Sequence, residues 1–120
     1  MSKIEKFEDI KSWKKARELT KIIYKITLNN LFRKDFGLRD QIQRSSVSIM
    51  ANIAEGFDAE TDVDFIRFLR YGFRSTTELQ SHLYVALDQK YISEDEFKKI
   101  YSTAEEVKSL ISGFIRYLKS

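Results

Sequence analysis

Arg67, Arg70 and Arg74 recur at steps of three and four, and no acidic residue lies between Phe65 and Thr77. At about 100° of turn per helical residue, this spacing projects three guanidinium groups from one side of a helix. Each group is a permanently charged fork of donors that matches phosphate oxygens, so the stripe suits a polyanion. Acids on an adjacent helix or subunit compete for the same side chains. A second set of cations, Lys11, Lys14, Lys15 and Arg17, lies near the N-terminus. Between Lys11 and Arg44 there are 10 basic and 3 acidic residues, and the net charge of +3 resides entirely in the first half of the chain. The bland alternative is a solvated basic helix face. Trp13 sits among these lysines as a base-stacking aromatic would, but its helical position faces the core. Nothing in either set supplies a base-reading code. Contacts with a nucleic acid are therefore expected at its phosphates, with weak sequence preference and a steep dependence on salt.

Other chemistries are poorly served. The chain has no cysteine and one histidine. This removes disulfides, thiolate metal sites, cysteine nucleophiles and a histidine cluster within one chain. Its four glycines, Gly37, Gly56, Gly72 and Gly113, form neither a phosphate-cradling loop nor a nucleophile elbow. His82 has Ser75, Glu78 and Ser81 near it in sequence, but no nucleophile, base and orienting group assemble, and it reads as a packing histidine. Glu55 and Glu78 read as partners of Arg44 rather than as a catalytic carboxylate pair. No catalytic residue, metal or cofactor is expected.

The 120 residues, 42% apolar and 32% charged, suffice for one globular domain over 1–120. No run approaches the ~18 apolar residues of a membrane span. The N-terminus mixes both signs of charge and lacks the apolar stretch of a signal peptide. A cytoplasmic protein without a membrane partner is expected. Apolar spacing is helical almost everywhere and proline is absent, which predicts four helices and no strand. The first is expected from about Ser12 to Asn29, preceded by an extended arm carrying Ile4, Phe7 and Ile10. The second runs from about Leu38 to Glu55, with Gly56 supplying a left-handed turn at its end. The third begins near Thr61 and Asp62, has Asp64 in its first turn, and reaches about Gln89. The fourth starts at Ser93, which with Glu96 spells a capping box, flanked by Ile92 and Phe97 as a hydrophobic staple. Its apolar residues Phe97, Ile100, Ala104, Val107, Ile111, Phe114 and Leu118 form one narrow seam. These elements predict an all-α fold, an antiparallel four-helix bundle with up-down-up-down topology.

The second helix is apolar or small on two faces. Ile42, Ser45, Ile49 and Ile53 make one, and Val47, Met50, Ala51 and Ala54 the other. One suits the monomer's core and the second a neighbouring subunit. The third helix adds a flank of Ile66, Phe73 and Tyr84 beside its core stripe, the kind of apolar surface that marks an interface. A homo-oligomer is expected, with either flank as its contact.

The rest of the second helix is one polar stripe of Gln41, Arg44, Ser48, Asn52 and Glu55. The segment from Asp40 to Gly56 resembles the signature of the four-helix-bundle proteins encoded in 23S ribosomal RNA intervening sequences. That signature reads Gln-Ile-x-Arg-x-x-x-Ser-Ile-x-x-Asn-Ile-Ala-Glu-Gly, and Gln41, Arg44, Ser48, Asn52, Ala54, Glu55 and Gly56 match it. Phe7 and Asp9, Trp13 and Ala16, Phe36 to Leu38, Phe65 to Leu69, and Ser75 with Glu78 and Leu79 extend the resemblance over nearly the whole chain. Three departures stand out. The family's prolines near Leu31 and Met50 are missing, which predicts a less kinked second helix. Arg74 replaces the glycine that often precedes Ser75, which puts close helix packing there in question.

The resemblance implies a bundle that assembles into a homopentameric ring, with no established enzymatic activity. Relatives of the family include the accessory protein of diversity-generating retroelements, which binds nucleic acid and a reverse transcriptase through a basic surface. It thus implies RNA or DNA, and a reverse transcriptase, as partners. Buried polar groups need hydrogen-bond partners. Gln41, Arg44, Ser48, Asn52, Glu55 and Gly56, with Glu78 opposite, are therefore expected to lock the second helix to the third, Arg44 bridging to Glu55 or Glu78 and Asn52 bonding across helices. The expected function is non-enzymatic binding of structured RNA by an oligomer. The alternative is an adaptor whose basic surface docks an acidic protein.

Overall fold

The computed structural model describes residues 4–120. Among them the chain forms four α-helices and no strand: α1 (Lys11–Ile26), α2 (Phe36–Phe57), α3 (Asp62–Asp88) and α4 (Glu94–Lys119). They make a bundle 45 × 23 × 19 Å in extent. Helix α1 packs on α2 and α4, and α3 packs on α2 and α4, with the broadest contact between α2 and α3. Ala16, Leu19 and Ile23 of α1, Ile42, Ile49 and Ile53 of α2, Leu69, Leu79 and Leu83 of α3, and Ala104, Val107 and Ile111 of α4 are all fully buried in one core.

The helix starts follow from capping. Ser93 Oγ accepts from the Glu96 N–H and the Glu96 carboxylate accepts from the Ser93 N–H, so both halves of the capping box form. Thr61 Oγ1 accepts from the Asp64 N–H at the start of α3. Helix α2 begins two residues before the expected Leu38, because Asp35 caps it by accepting from the Leu38 N–H. It then runs unbroken for 22 residues, as the missing proline predicts.

Four local expectations are corrected. Residues Phe7–Asp9 form a 3-10 turn instead of an extended arm, and Ile10 is buried as the residue preceding α1. Helix α1 stops at Ile26. The α4 seam drifts at its C-terminal end, where Ile115 is buried and Phe114 and Leu118 are half-buried. A straight helix turns by ~20° per heptad away from a strict seven-residue repeat, which shifts the buried row by a residue over the length of α4. Finally, Gly56 does not adopt a left-handed turn. No glycine has positive φ, and α2 continues to Phe57. The glycine is needed for space: a Cβ there would stand 2.8 Å from Phe65 Cδ1 and 2.9 Å from Phe68 Cβ. Phe65 in turn packs edge-on against Phe57 and Phe114, with centroids at 6.4 and 5.2 Å.

Among the described residues the left-handed one is Lys90, at φ 62. Its N–H donates to Leu87 O, and the Tyr91 N–H donates to Ala86 O, which closes α3 with a Schellman turn. The turn delivers Tyr91 to the α1–α2 connection. Tyr91 packs on Phe32 at 5.2 Å, its hydroxyl donates to Asp35 Oδ2, and its carbonyl accepts from Asn29 Nδ2. Asn29 Oδ1 accepts from the Phe32 N–H. Two loops are thereby clasped together.

The glycines provide a test. Gly113→Ala adds a Cβ whose nearest neighbour is Arg116 Nη2 at 3.7 Å, so its helix propensity should raise stability by about 0.5–1 kcal/mol. Gly56→Ala should instead lower stability by about 1–3 kcal/mol, because overpacking outweighs the same propensity gain. Urea unfolding of both variants checks the opposite signs.

Candidate nucleic-acid interface

The polar stripe of α2 divides into a lock and an open face. Ser48 Oγ and Ser75 Oγ are hydrogen-bonded at 2.9 Å across α2 and α3. Asn52 Nδ2 donates to Ser48 O at 2.9 Å and to Ser48 Oγ at 3.1 Å. Asn52 thus braces the serine within α2 rather than bonding across helices. The serine pair also answers the question raised by Arg74: that side chain is exposed and the helices still meet at Ser75.

The expected bridge from Arg44 to Glu55 or Glu78 does not form. Arg44 and Glu55 are eleven residues apart, about 16 Å along a helix, beyond side-chain reach. Glu78 turns to its own helix, with Oε2 3.7 Å from His82 Nε2. Arg44 lies on the α1 side, beside Tyr24, Asp40, Gln43 and Val47. It has no ion pair among the described residues, and Gln41, Arg44 and Glu55 are all exposed. Gly56 serves the α2–α3 approach described above. His82 is half-buried, and its Nε2 has no hydrogen-bond partner.

The N-terminal cations also separate. Lys15 Nζ is 3.1 Å from Glu106 Oε2 and 3.3 Å from Glu18 Oε2, which ties α1 to α4. Hydrogen bonds to Glu106 and then Glu18 raise the pKa of Lys15 above its ordinary value. Arg17 lies 5.9 Å from the centre of the Trp13 ring. Trp13 is half-buried and meets Phe7 edge-on at 5.1 Å, so it serves packing and not an exposed stacking platform. Lys11 and Lys14 are exposed.

On α3 the arginine stripe is present but uneven. Arg67 Nη2 lies 3.2 Å from Asp64 Oδ1, an acid just outside the stretch that lacks them, and its guanidinium covers Phe68 at 5.4 Å. Arg70 and Arg74 are exposed and edge a hollow of about 240 Å³ with Phe73, Ser112 and Ile115. Of the apolar flank, Phe73 lies beside these arginines, whereas Tyr84 packs on Phe97 and Tyr101 of α4 at 4.8 and 5.9 Å. Sequence spacing missed two contributors, Lys108 and Gln80. Lys108 Nζ donates to Gln80 Oε1 at 3.1 Å and sits 4.8 Å from the Phe73 ring centre. No local signal marks a contact between residues 28 positions apart.

The serine lock should be measurable. In a double-mutant cycle, Ser48→Ala and Ser75→Ala should show a coupling of about 1 kcal/mol, as expected for a hydrogen bond between half-buried side chains. Additive single losses would show that the pair contributes nothing.

Comparisons with known proteins agree with this architecture. A solved structure from Bacteroides thetaiotaomicron VPI-5482, described as a protein with unknown function from the S23 ribosomal protein family, is similar to this chain. Its TM-score is 0.79 at 29% sequence identity, over 87% of this chain and 97% of that one. No curated protein matches. Residues 8–113 match the model of the family described as 23S rRNA-intervening sequence protein. With that match spanning the lock, the open face of α2 and the arginine stripe, the chain belongs to the 23S rRNA-intervening sequence protein family.

Proposed function

We propose that the protein is a non-enzymatic, oligomeric helical bundle that binds nucleic acid through its phosphate backbone, with Arg70 and Arg74 at the centre of the contact. The state of these two arginines carries the reading. Both are exposed, and neither has an acidic partner among the described residues. Arg67 contributes less, because Asp64 already neutralises it. Lys11 and Lys14 form a subsidiary patch. Structured RNA in the cytoplasm is the proposed ligand and setting. Among the described residues no helix is long and apolar enough to cross a membrane.

The proposed topology is up-down-up-down. The Asn29–Tyr91 clasp joins the two loops α1–α2 and α3–α4, and the Phe65–Phe114 contact joins the start of α3 to the end of α4. Both contacts fit helices that alternate in direction. The proposed assembly is a cyclic homopentamer, its number taken from the family resemblance, with the second apolar face of α2, around Val47 and Ala51, as the subunit contact. Val47 is 44% exposed and Ala51 is exposed beside it, whereas Met50 is half-buried against the core. A cyclic oligomer would repeat Arg70 and Arg74 around a ring and raise avidity for a long polyanion.

Two measurements test this. The double variant Arg70→Glu/Arg74→Glu, shown to be folded and correctly assembled, should bind structured RNA at least about tenfold more weakly than the parent at moderate salt. Arg67→Gln, which removes a charge already paired with Asp64, should have a smaller effect than Arg70→Gln or Arg74→Gln. Unchanged affinity in the double variant would remove the stripe as the site. For the assembly, native mass spectrometry should show a pentamer that Val47→Asp dissociates, since burying an unpaired carboxylate costs several kcal/mol. A monomeric parent at micromolar concentration would contradict it.

A further inference from the structure

The surface carrying Arg70 and Arg74 continues onto α4. A second hollow, about 340 Å³, adjoins the first and shares Phe73 and Ser112 with it. Its rim carries Lys108, Arg116, Ser109 and one acid, Glu105. Lys108 is held in place at this rim. Its ammonium is held between Gln80 Oε1, at 3.1 Å, and the face of Phe73, at 4.8 Å. Gln80 is only 4% exposed. An ammonium group has donors alone, so the amide must turn its oxygen to Lys108. The price is a buried Nε2 with no partner. Leaving a buried donor unpaired is destabilising, so packing alone does not account for a glutamine here. What the arrangement does is fix a lysine whose remaining ammonium protons are free for an acceptor in the hollow.

We infer that the groove between α3 and α4 is a phosphodiester-binding track. Lys108 is a phosphate ligand in it, Arg70, Arg74 and Arg116 complete the cationic rim, and Gln80 is a positioning residue for Lys108. The inference rests on the reading that this face takes a nucleic acid, and extends it to residues outside the arginine stripe. Arg70 and Arg74 are one helical turn apart, about 6 Å along α3, and Lys108 and Arg116 continue the series on α4. A chain with one charge per unit and several acceptor oxygens at each charge can use the cations in succession and also take hydrogen bonds from Ser109 and Ser112. Glu105 opposes it and holds the affinity below what the cations would otherwise give.

The test measures binding of a labelled structured RNA to the full-length protein across a salt series, with folding checked by thermal melting. Lys108→Gln and Arg116→Gln should each lower the slope of log affinity against log salt by about one and weaken binding about tenfold at low salt. Glu105→Gln should tighten binding. Gln80→Leu should weaken RNA binding several-fold, an effect that a glutamine acting only in packing would not produce. If the Lys108, Arg116 and Glu105 variants leave affinity and slope unchanged while Arg70→Glu/Arg74→Glu abolishes binding, the track is wrong and the stripe reading stands. If none of these variants changes binding, both fall. Poly-L-glutamate bound as tightly as RNA would overturn the phosphodiester assignment in favour of an acidic protein. Lys108-dependent binding of inorganic phosphate without RNA binding would overturn it in favour of a free anion.

Discussion

Where α2 meets α3, the absence of a single carbon sets the separation of the two helices. A Cβ at Gly56 would stand within 3 Å of both Phe65 and Phe68, distances that real side-chain carbons do not occupy. The empty space lets the Phe65 ring lie over the end of α2, and from there it reaches Phe57 and Phe114. Three helices are joined through one aromatic side chain. The broadest helix contact in the bundle extends from this point, and one consequence is the 2.9 Å approach of Ser48 and Ser75. Two hydroxyls can bond directly only where backbones run close. The small residues of the α2 stripe therefore act with Gly56 as parts of one close-packed contact.

The same packing decides what α3 shows to solvent. With Leu69, Gly72, Thr76 and Leu79 committed to the core, the helical period leaves Arg70 and Arg74 on the outside. Gly72 sits where Ile49, Ile53 and Ile111 converge, close enough that a Cβ would meet all three at 3.6–3.7 Å. Arg70 and Arg74 border a groove with α4, on the opposite border of α3 from the serine lock. The second apolar face of α2 and the cationic groove are therefore separate surfaces. The proposed subunit contact on the first would leave the second free for the proposed polyanion.

Much of this was legible in the residues themselves. The Ser93 capping box, the start of α3 at Thr61 and the α4 seam from Ile100 to Ile111 are local patterns of period and side-chain type, and the structure repeats them. Asp35 stands three positions before Leu38, the spacing of a side-chain cap, so the earlier start of α2 was also open to a sequence reading. What could not be read is everything that depends on azimuth between helices. Gly56 looks like a chain-reversing glycine until Phe65 is placed above it. Arg44 is a different case, since its eleven-residue distance from Glu55 on one helix was itself readable and already rules the pair out. Lys15 belongs to an α1 cationic cluster until Glu106 arrives from α4. Gln80 is buried and bonded to Lys108 of α4, a partner 28 positions away that no local pattern announces. The stripe of arginines was readable as a stripe, but the unequal availability of its members depended on Asp64, one residue outside the acid-free stretch.

The order of packing also sets the order in which the chain can assemble. Helices α1 with α2, α2 with α3, and α3 with α4 are neighbours in sequence, so most contacts close short loops at low entropic cost. Such low contact order belongs to fast folders. The exceptions are the α1–α4 contact and the hydrogen bond from Asn29 to Tyr91, whose residues are 62 positions apart. Both close far longer stretches of chain, at higher entropic cost, than the α2–α3 hairpin does. In the native state the same hierarchy runs in reverse. Helices α1 and α4 each have one sequential and one long-range neighbour, so local opening is expected to reach them before the α2–α3 pair.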